Sequence, residues 1–378
     1  MTSGTAWLIH DDRLTPLPVG WAPLVGHRAA EEWRWQVIDR DTGQVTGRMD
    51  GVEGGNLRLN VYADTRGTGS LRWSGPLDDM PTWRNIRVQP VYVATLLDGS
   101  SVEWPMGVYL CTSPRTDVQD GWAEVDVSLF DPTLVLRRAK LSKTSGVNAG
   151  TAVVSHVRLI LDTQAPSVRH ALEDSDATLR SSMVWEPGTP WLRVINDLLD
   201  AAGMFALWAD ADGVLRSSPY VRPQDRPLVW DFAEGATAVH EAGVQHDRDD
   251  FDVPNRITLI SRADGDLPAL RARLTLDDID PASPYAYAQT GEWVDRVEDN
   301  IEAADLAVLQ ARADRLLREG VSVASTVTLT HAPLPLGLQD RVSVHTGGLV
   351  VPSAVIQSVD IPCAAGEDWT TTVREVAA

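Results

Sequence analysis

The sequence predicts a mainly β protein with an α+β middle, in which two antiparallel β-barrel domains flank a small α+β domain. Three observations predict it. Short alternating runs separated by Asp-Gly turns fill residues 29–140, apolar residues at helical spacing mark residues 141–235, and strand-like runs return over 236–378 around one amphipathic helix. With 378 residues and 43% hydrophobic content, the chain can bury a large core divided among two or three domains.

Residues 1–28 are rich in Pro, Gly and Trp without clear periodicity and read as an extended N-terminal arm. The first strand region then runs through Trp33–Ile38, Asn56–Tyr62, Ser70–Trp73, Ile86–Leu97, Val102–Cys111 and Trp122–Phe130, with Asp98-Gly99 and Asp120-Gly121 as hairpin connectors. An antiparallel barrel or meander is the expected product. A polar segment over 131–149, ending in Ser142-Lys143-Thr144-Ser145-Gly146, reads as a boundary.

The middle region opens with a helix over Thr151–Asp162, because Val153, Val154, Val157, Ile160 and Leu161 repeat at helical spacing and Pro166 lies just beyond. The most informative passage follows, from Met183 to Trp230. In Trp185-Glu186-Pro187-Gly188-Thr189-Pro190-Trp191, Thr189 is the expected N-cap and Pro190 the first helical residue, while Gly203 ends the helix in a left-handed conformation. Trp191, Leu192, Ile195, Leu198 and Leu199 share one face. Met204–Trp208 then meets Val214–Arg216 across the turn Asp210-Ala211-Asp212-Gly213, and a strand at Leu228–Phe232 completes a small α+β unit.

The last third carries strands at Asn255–Ser261, Leu270–Leu276, Val321–Thr330, Arg341–His345, Val350–Val359 and Thr370–Val373. A helix over residues 301–318 places Leu306, Leu309, Ala313, Leu316 and Leu317 on one stripe. It reads as a helix packed outside the second barrel, since the pattern is too short for a coiled coil.

Composition excludes several functions. The formal charge of -20 repels phosphate, which argues against sequence-specific nucleic-acid binding. No run of about 18 apolar residues marks a membrane segment, and Met1-Thr2-Ser3-Gly4 lacks the start of a secretory signal. Lys140 and Lys143 are the only lysines among 33 basic residues, an arginine bias that a GC-rich genome produces. Cys111 and Cys363 are too few for a disulfide framework and lack zinc-site spacing, so both read as buried thiols.

No catalytic, cofactor-binding or metal motif is legible, and the chain reads as a non-enzyme. His240-Glu241 is followed by His246, not by a histidine four residues after His240, and no nucleophile elbow, P-loop or dinucleotide fingerprint occurs. The acidic run Asp247, Asp249, Asp250, Asp252 lacks the glycine and distal glutamate of a calcium loop. Of the 14 tryptophans, Trp33 and Trp35 share a strand face and Trp191 and Trp208 belong to the helix–hairpin unit. Trp7, Trp21 and Trp293 lie outside periodic runs and are candidate interface anchors.

The order of segments resembles the minor tail proteins of siphophages that infect actinobacteria, of the tail-hub or baseplate-hub type. The resembling pieces are Trp35 to Asp41, Gly51 to Gly55, Arg66 to Gly69, Trp104 to Tyr109, Met183 to Leu199, Pro219 to Val221, Val253 to Arg256 and Pro333 to Leu336, nearly the whole chain. The passage from Trp185 to Asp200 is the most specific, with Trp185, Pro187, Gly188, Trp191, Asp200 and Gly203 as its structural signature.

The resemblance implies two tail-tube-like barrels fused in one chain. Three copies would make a pseudo-sixfold ring at the virion's tail tip, assembled in the host cytoplasm, which continues the tail tube and lets DNA pass. It implies no cofactor, and as partners further copies of the chain together with distal tail, tape measure and receptor-binding proteins. Acid on the channel wall would repel DNA; acid on the outside would only keep the particle soluble. Two other classes stay open: a receptor-binding tail protein recognising host surface carbohydrate, and a cell-wall-degrading tail enzyme, for which no motif is found.

Overall fold

The structure, a computed structural model, describes residues 28–235, 238–248, 253–263, 268–303, 305–323 and 325–376. The N-terminal strand region contains β1 (Arg28–Asp39), β2 (Val45–Arg48), β3 (Val52–Asn60), β4 (Gly67–Pro76), β5 (Ile86–Leu96), β6 (Ser101–Pro105), β7 (Tyr109–Gln119) and β8 (Trp122–Phe130). Alternation builds it: Ala123, Val125, Val127 and Leu129 are buried while Glu124 and Asp126 face out. The run expected as one strand over Val102–Cys111 is broken. Gly107 sits at φ +104, where a Cβ would lie 2.9 Å from the Tyr109 ring, and β6 and β7 pair with different stretches of β5. Beyond Cys111, β7 continues for eight mostly polar residues outside the strand expected from sequence.

The middle unit holds α1 (Thr133–Arg138), β9 (Ser145–Val147), α2 (Val153–Gln164), β10 (His170–Leu172), β11 (Met183–Trp185), α3 (Trp191–Ala201), β12 (Trp208–Ala209) and β13 (Leu215–Ser217). Its own core joins Val157, Leu161, Ile195, Leu198 and Leu215. The segment read as a polar boundary contains α1, whose Leu136 is buried in that core. The strand expected to complete this unit, β14 (Leu228–Ala233), pairs instead in parallel with the late strand at Arg341–Thr346.

After β15 (His240–Arg248) comes a separate unit of β16 (Arg256–Ser261), β17 (Arg271–Thr275), α4 (Leu276–Ile279), α5 (Tyr287–Thr290), β18 (Asp295–Ile301) and α6 (Leu306–Val323). The runs at Asn255–Ser261 and Leu270–Leu276, assigned by sequence to the second barrel, form this unit's own sheet in the order β17-β16-β18. Alternation identifies a strand without naming its sheet. The helix starts five residues later than expected, because Ile301 still pairs with Ser261 and Asp305 caps the helix by accepting the Val308 N–H at 2.8 Å. Leu309, Ala313 and Leu317 are its buried stripe.

The chain then returns with β19 (Ser325–His331), β20 (Arg341–Thr346), β21 (Leu349–Pro362) and β22 (Trp369–Glu375). Among the described residues neither strand region closes into a barrel of its own. Both belong to one fourteen-stranded sheet, joined where β21 pairs with β3 from Ser358↔Asn60 to Pro362↔Asn56. The core is shared as well: the Trp369 ring of the C-terminal region lies 5.9 Å from Tyr92 and 6.3 Å from Trp104 of the N-terminal region.

The sheet contains an internal repeat. In the N-terminal region neighbouring strands run β3-β4-β8-β7-β5-β1, and in the C-terminal region they run β15-β19-β22-β21-β20-β14. Matching strands also appear in the same chain order, and their directions match except at the last strand, where β1 is antiparallel to β5 and β14 is parallel to β20. The unit carrying α6 is thus an insertion between β15 and β19, the counterpart of the short β3–β4 turn.

Candidate assembly surface

Eight strands, β15-β19-β22-β21-β3-β4-β8-β7, form an unbroken antiparallel wall, four from each repeat. Its inner face is apolar, with Leu57, Leu71, Val125, Val127, Val327, Leu329, Val359 and Ile361 all buried. The opposite face carries hydroxyls and amides: Thr326, Thr328 and Thr330 on β19, Thr370 and Thr372 on β22, Asn56 on β3 and Ser70 on β4. Its arginines lie beside carboxylates. Arg58 lies 3.5 Å from Asp360, and Arg72 lies 3.7 Å from Asp126 and 3.8 Å from Glu124. This face is polar and nearly neutral, so the chain's acidity is concentrated elsewhere.

The wall's two ends differ from its middle. From Ser113 to Gln119, β7 has β8 on one side and no further strand on the other among the described residues, and every residue there is exposed. At the far end β15 pairs, among the described residues, only with β19 and is exposed on both faces over most of its length. A strand edge with free N–H and C=O groups is a template for another strand. No sequence signal marked these two stretches, because neither buries a face.

The signature passage gathers in the middle unit. Gly188, at φ +88, donates its N–H to Leu141 O at 2.8 Å, and the Trp191 N–H reaches Ala139 O at 3.0 Å, so the turn laces α3 to the segment after α1. Pro187 is exposed in that turn. Trp185 is buried and donates its indole N–H to Asp197 at 2.8 Å, while Trp191 is half-buried against the same core. Thr189 does not cap the helix. Its hydroxyl donates to Glu186 O at 2.8 Å, and Pro190, extended at ψ 141, takes the cap position one residue later than expected. The C-terminus forms a Schellman motif: Gly203, at φ +69, donates to Asp200 O, and Met204 donates to Leu199 O, both at 2.9 Å.

Asp200 also reaches out of the unit. Its carboxylate pairs with Arg312 and, at 2.6 Å, with Arg315, both on α6, and so ties the middle unit to the inserted one. Arg315 lies over the Tyr220 ring at 5.0 Å, and the Asp200 carboxylate raises the Arg315 pKa in spite of its burial. The hairpin turn after α3 seats the middle unit on the N-terminal region. Gly213, at φ +71, abuts Val108, and Gln89 donates to Ala211 O at 2.7 Å.

Of the three anchor candidates, Trp7 and Trp21 lie outside the described residues. Trp293 is in the inserted unit, 38% exposed, stacked at 4.3 Å on Tyr287 and with the Arg256 guanidinium 4.5 Å from its ring. The structure therefore does not bring it together with the signature residues.

Groups with perturbed acidity are structural in their surroundings. Burial pushes the Cys111 thiol up to about 12 and raises Cys363 as well. Asp131, buried where β8 meets α1, is raised by burial although it accepts hydrogen bonds from Gly67 and Thr133. Among the described residues no three His, Cys, Asp or Glu side chains are placed to hold a metal ion. Asp249, Asp250 and Asp252 of the acidic run lie outside the described residues.

No protein-family model matches the chain, and no curated protein matches it. Solved structures do. A tail protein from Neisseria meningitidis superimposes with a TM-score of 0.65 at 16% identity, over 91% of this chain and 97% of that one. The 43 kDa tail protein of prophage MuSo2 from Shewanella oneidensis gives 0.61 at 12% identity, over 91% and 98%. The prophage tail protein gp18 from Listeria monocytogenes gives 0.55 at 10%, over 90% and 94%. With most of each chain covered, this chain has the fold of these tail proteins.

Proposed function

We propose that this chain is a structural tail protein of a virion, a hub at the tail tip of a siphophage infecting an actinobacterium. Three copies close a pseudo-sixfold ring that continues the tail tube, seats neighbouring tail proteins and lets DNA pass. The observation that carries this reading is the internal repeat. One chain supplies two equivalent four-strand segments already joined edge to edge at β21 and β3, as a threefold ring with sixfold-like walls requires. The tail-protein fold and the sequence resemblance support it, and the arginine bias supports the host class.

In this ring the hydroxyl-rich face lines the channel. DNA then slides past a surface that offers few unpaired cations to its phosphates, and the acidity on other faces keeps the particle soluble. The middle and inserted units sit outside the wall, where Trp293 is available to a neighbouring tail protein.

A gold-labelled epitope added to the chain in intact virions tests the reading. Label at the tail tip is expected. Label along the tube or on peripheral fibres would overturn it, the latter in favour of receptor binding.

A further inference from the structure

The repeat shows how the wall continues from one repeat to the next. In the C-terminal repeat, the first part of β21 pairs with β20, and after a bulge between Ile356 and Ser358 its last part, Ser358–Pro362, passes on to β3. In the N-terminal repeat, the start of β7 pairs with β5, and after a bulge between Thr112 and Arg115 its last part, Arg115–Gln119, has no such neighbour among the described residues. Burial follows the difference. Ile361, pointing to the apolar face, is 1% exposed beneath β3, whereas Val118, on the same face of β7, is 54% exposed.

We infer that β15 of a second copy seats on the free edge of β7, in antiparallel register with Arg115 opposite Asp247 and Val118 opposite Val244. This rests on the ring reading and names the edges that close it. The eight wall strands alternate in direction, so the two end strands run oppositely, and a copy related by rotation about the ring axis presents β15 antiparallel to β7 with polar faces continuous. Side-chain parity agrees. Val118 and Val244 lie on the apolar face, opposite Ala123 and Leu329 in their own chains, while Asp117 and Gln245 lie on the polar face with Glu124 and Thr328.

The register follows from complementarity. Arg115 opposite Asp247 pairs opposite charges and Val118 opposite Val244 pairs apolar groups, whereas a shift of two residues sets Asp117 against Asp247. The backbone is prepared too. Gln119 and Trp122 flank the two-residue turn and exchange hydrogen bonds as hairpin-closing residues do, which leaves the N–H and C=O of Val118 and Thr116 directed at the open edge.

Virions carrying Asp117→Cys with Gln245→Cys, oxidised and run without reductant, test the pairing; the native Cys111 and Cys363 are buried and do not compete. The expected result is a disulfide-linked ladder ending at the trimer, absent from either single variant and from Asp117→Cys with Val244→Cys. Linkage to Asp247→Cys instead would overturn the register. A threefold ring visible by electron microscopy with no linkage from any pair would overturn the edge assignment and leave the ring intact, whereas absence of a ring would remove both. Val118→Pro supplies a second readout. It removes an edge N–H without touching the β7–β8 ladder, so the variant is expected to fold with wild-type circular dichroism and to lose ring formation; retained ring formation would overturn the pairing.

Discussion

Acidification should destabilise the C-terminal repeat through a single buried histidine. His331 ends β19 at 1% exposure, its Nδ1–H donating to Ala332 O at 2.7 Å and its Nε2 accepting from the Thr371 hydroxyl at 2.7 Å. The neutral ring satisfies both nitrogens, and burial is what disfavours the charged one. Burial lowers its pKa from 6.5 to about 4, with His240 pushing in the same direction and the Ala332 carbonyl opposing. Because the folded value lies below the unfolded one, the unfolded chain binds the extra proton. Stability is therefore complete above about pH 6.5 and falls as the pH drops toward 4. The gap corresponds to about 3 kcal/mol in full, and to about 2 kcal/mol already at pH 5. Urea unfolding of wild type and His331→Gln at pH 7.5 and pH 5 measures it. The variant is expected to be less stable at pH 7.5 and to lose about 2 kcal/mol less than wild type on acidification. Equal losses in the two proteins, or a His331 ring that titrates near 6.5 by NMR, would refute the reasoning.

Leu57→Ala, at a fully buried position opposite Ile361 in the β3–β21 junction, should cost about 3 kcal/mol and shift the unfolding of both repeats together by calorimetry. Asp200→Asn removes the charge that holds Arg312 and Arg315 and should cost about 2 kcal/mol, read as faster hydrogen exchange in α6. Gly213→Val puts a Cβ 2.8 Å from that of Val108 at φ +71 and should cost about 2 kcal/mol in urea unfolding. Thr328→Arg with Thr372→Arg, adjacent on the polar face with hydroxyls 3.1 Å apart, should slow DNA ejection in a fluorescence assay; unchanged kinetics would place that face away from the channel.

The clearest sequence signals belong to long segments that bury one face, whereas the six-residue α1 buries Leu134 and Leu136 inside a stretch that reads as a polar boundary. The alternation in Trp122–Phe130 gives β8, the spacing of Leu192, Ile195, Leu198 and Leu199 gives α3, and Gly203 gives its C-cap. Where nothing is buried the signal vanished. Arg115–Gln119 alternates no apolar side chains toward a core of its own chain, so it carries no periodic signal although it extends a long strand. The repeat was hidden for a different reason. Strand order is set by which edges meet, and β3 and β15 have in common only a glutamate and a glycine, Glu53 and Gly55 against Glu241 and Gly243.

The connection between sheets was equally invisible. Periodicity in Asn255–Ser261 fits a wall strand as well as it fits the inserted unit's sheet, and only the packing of α6 over Ile257 and Leu259 decides between them. In the signature passage the turn at Gly188 and the helix end at Gly203 are local features, but the reach of Asp200 to α6 depends on two arginines more than 100 residues away. Net charge alone does not say which face carries it. In a chain of net charge -20, the wall's polar face sets Arg58 beside Asp360 and Arg72 between Asp126 and Glu124, so only a small part of the excess acid lies there.

A reconstruction of the tail tip from intact virions tests the central claim most directly. The account predicts three copies of this chain in a closed ring, the β21–β3 junctions within chains alternating with β7–β15 junctions between them, and the threonine-rich face lining an open channel. Copies set around the periphery with their walls away from the axis would contradict it.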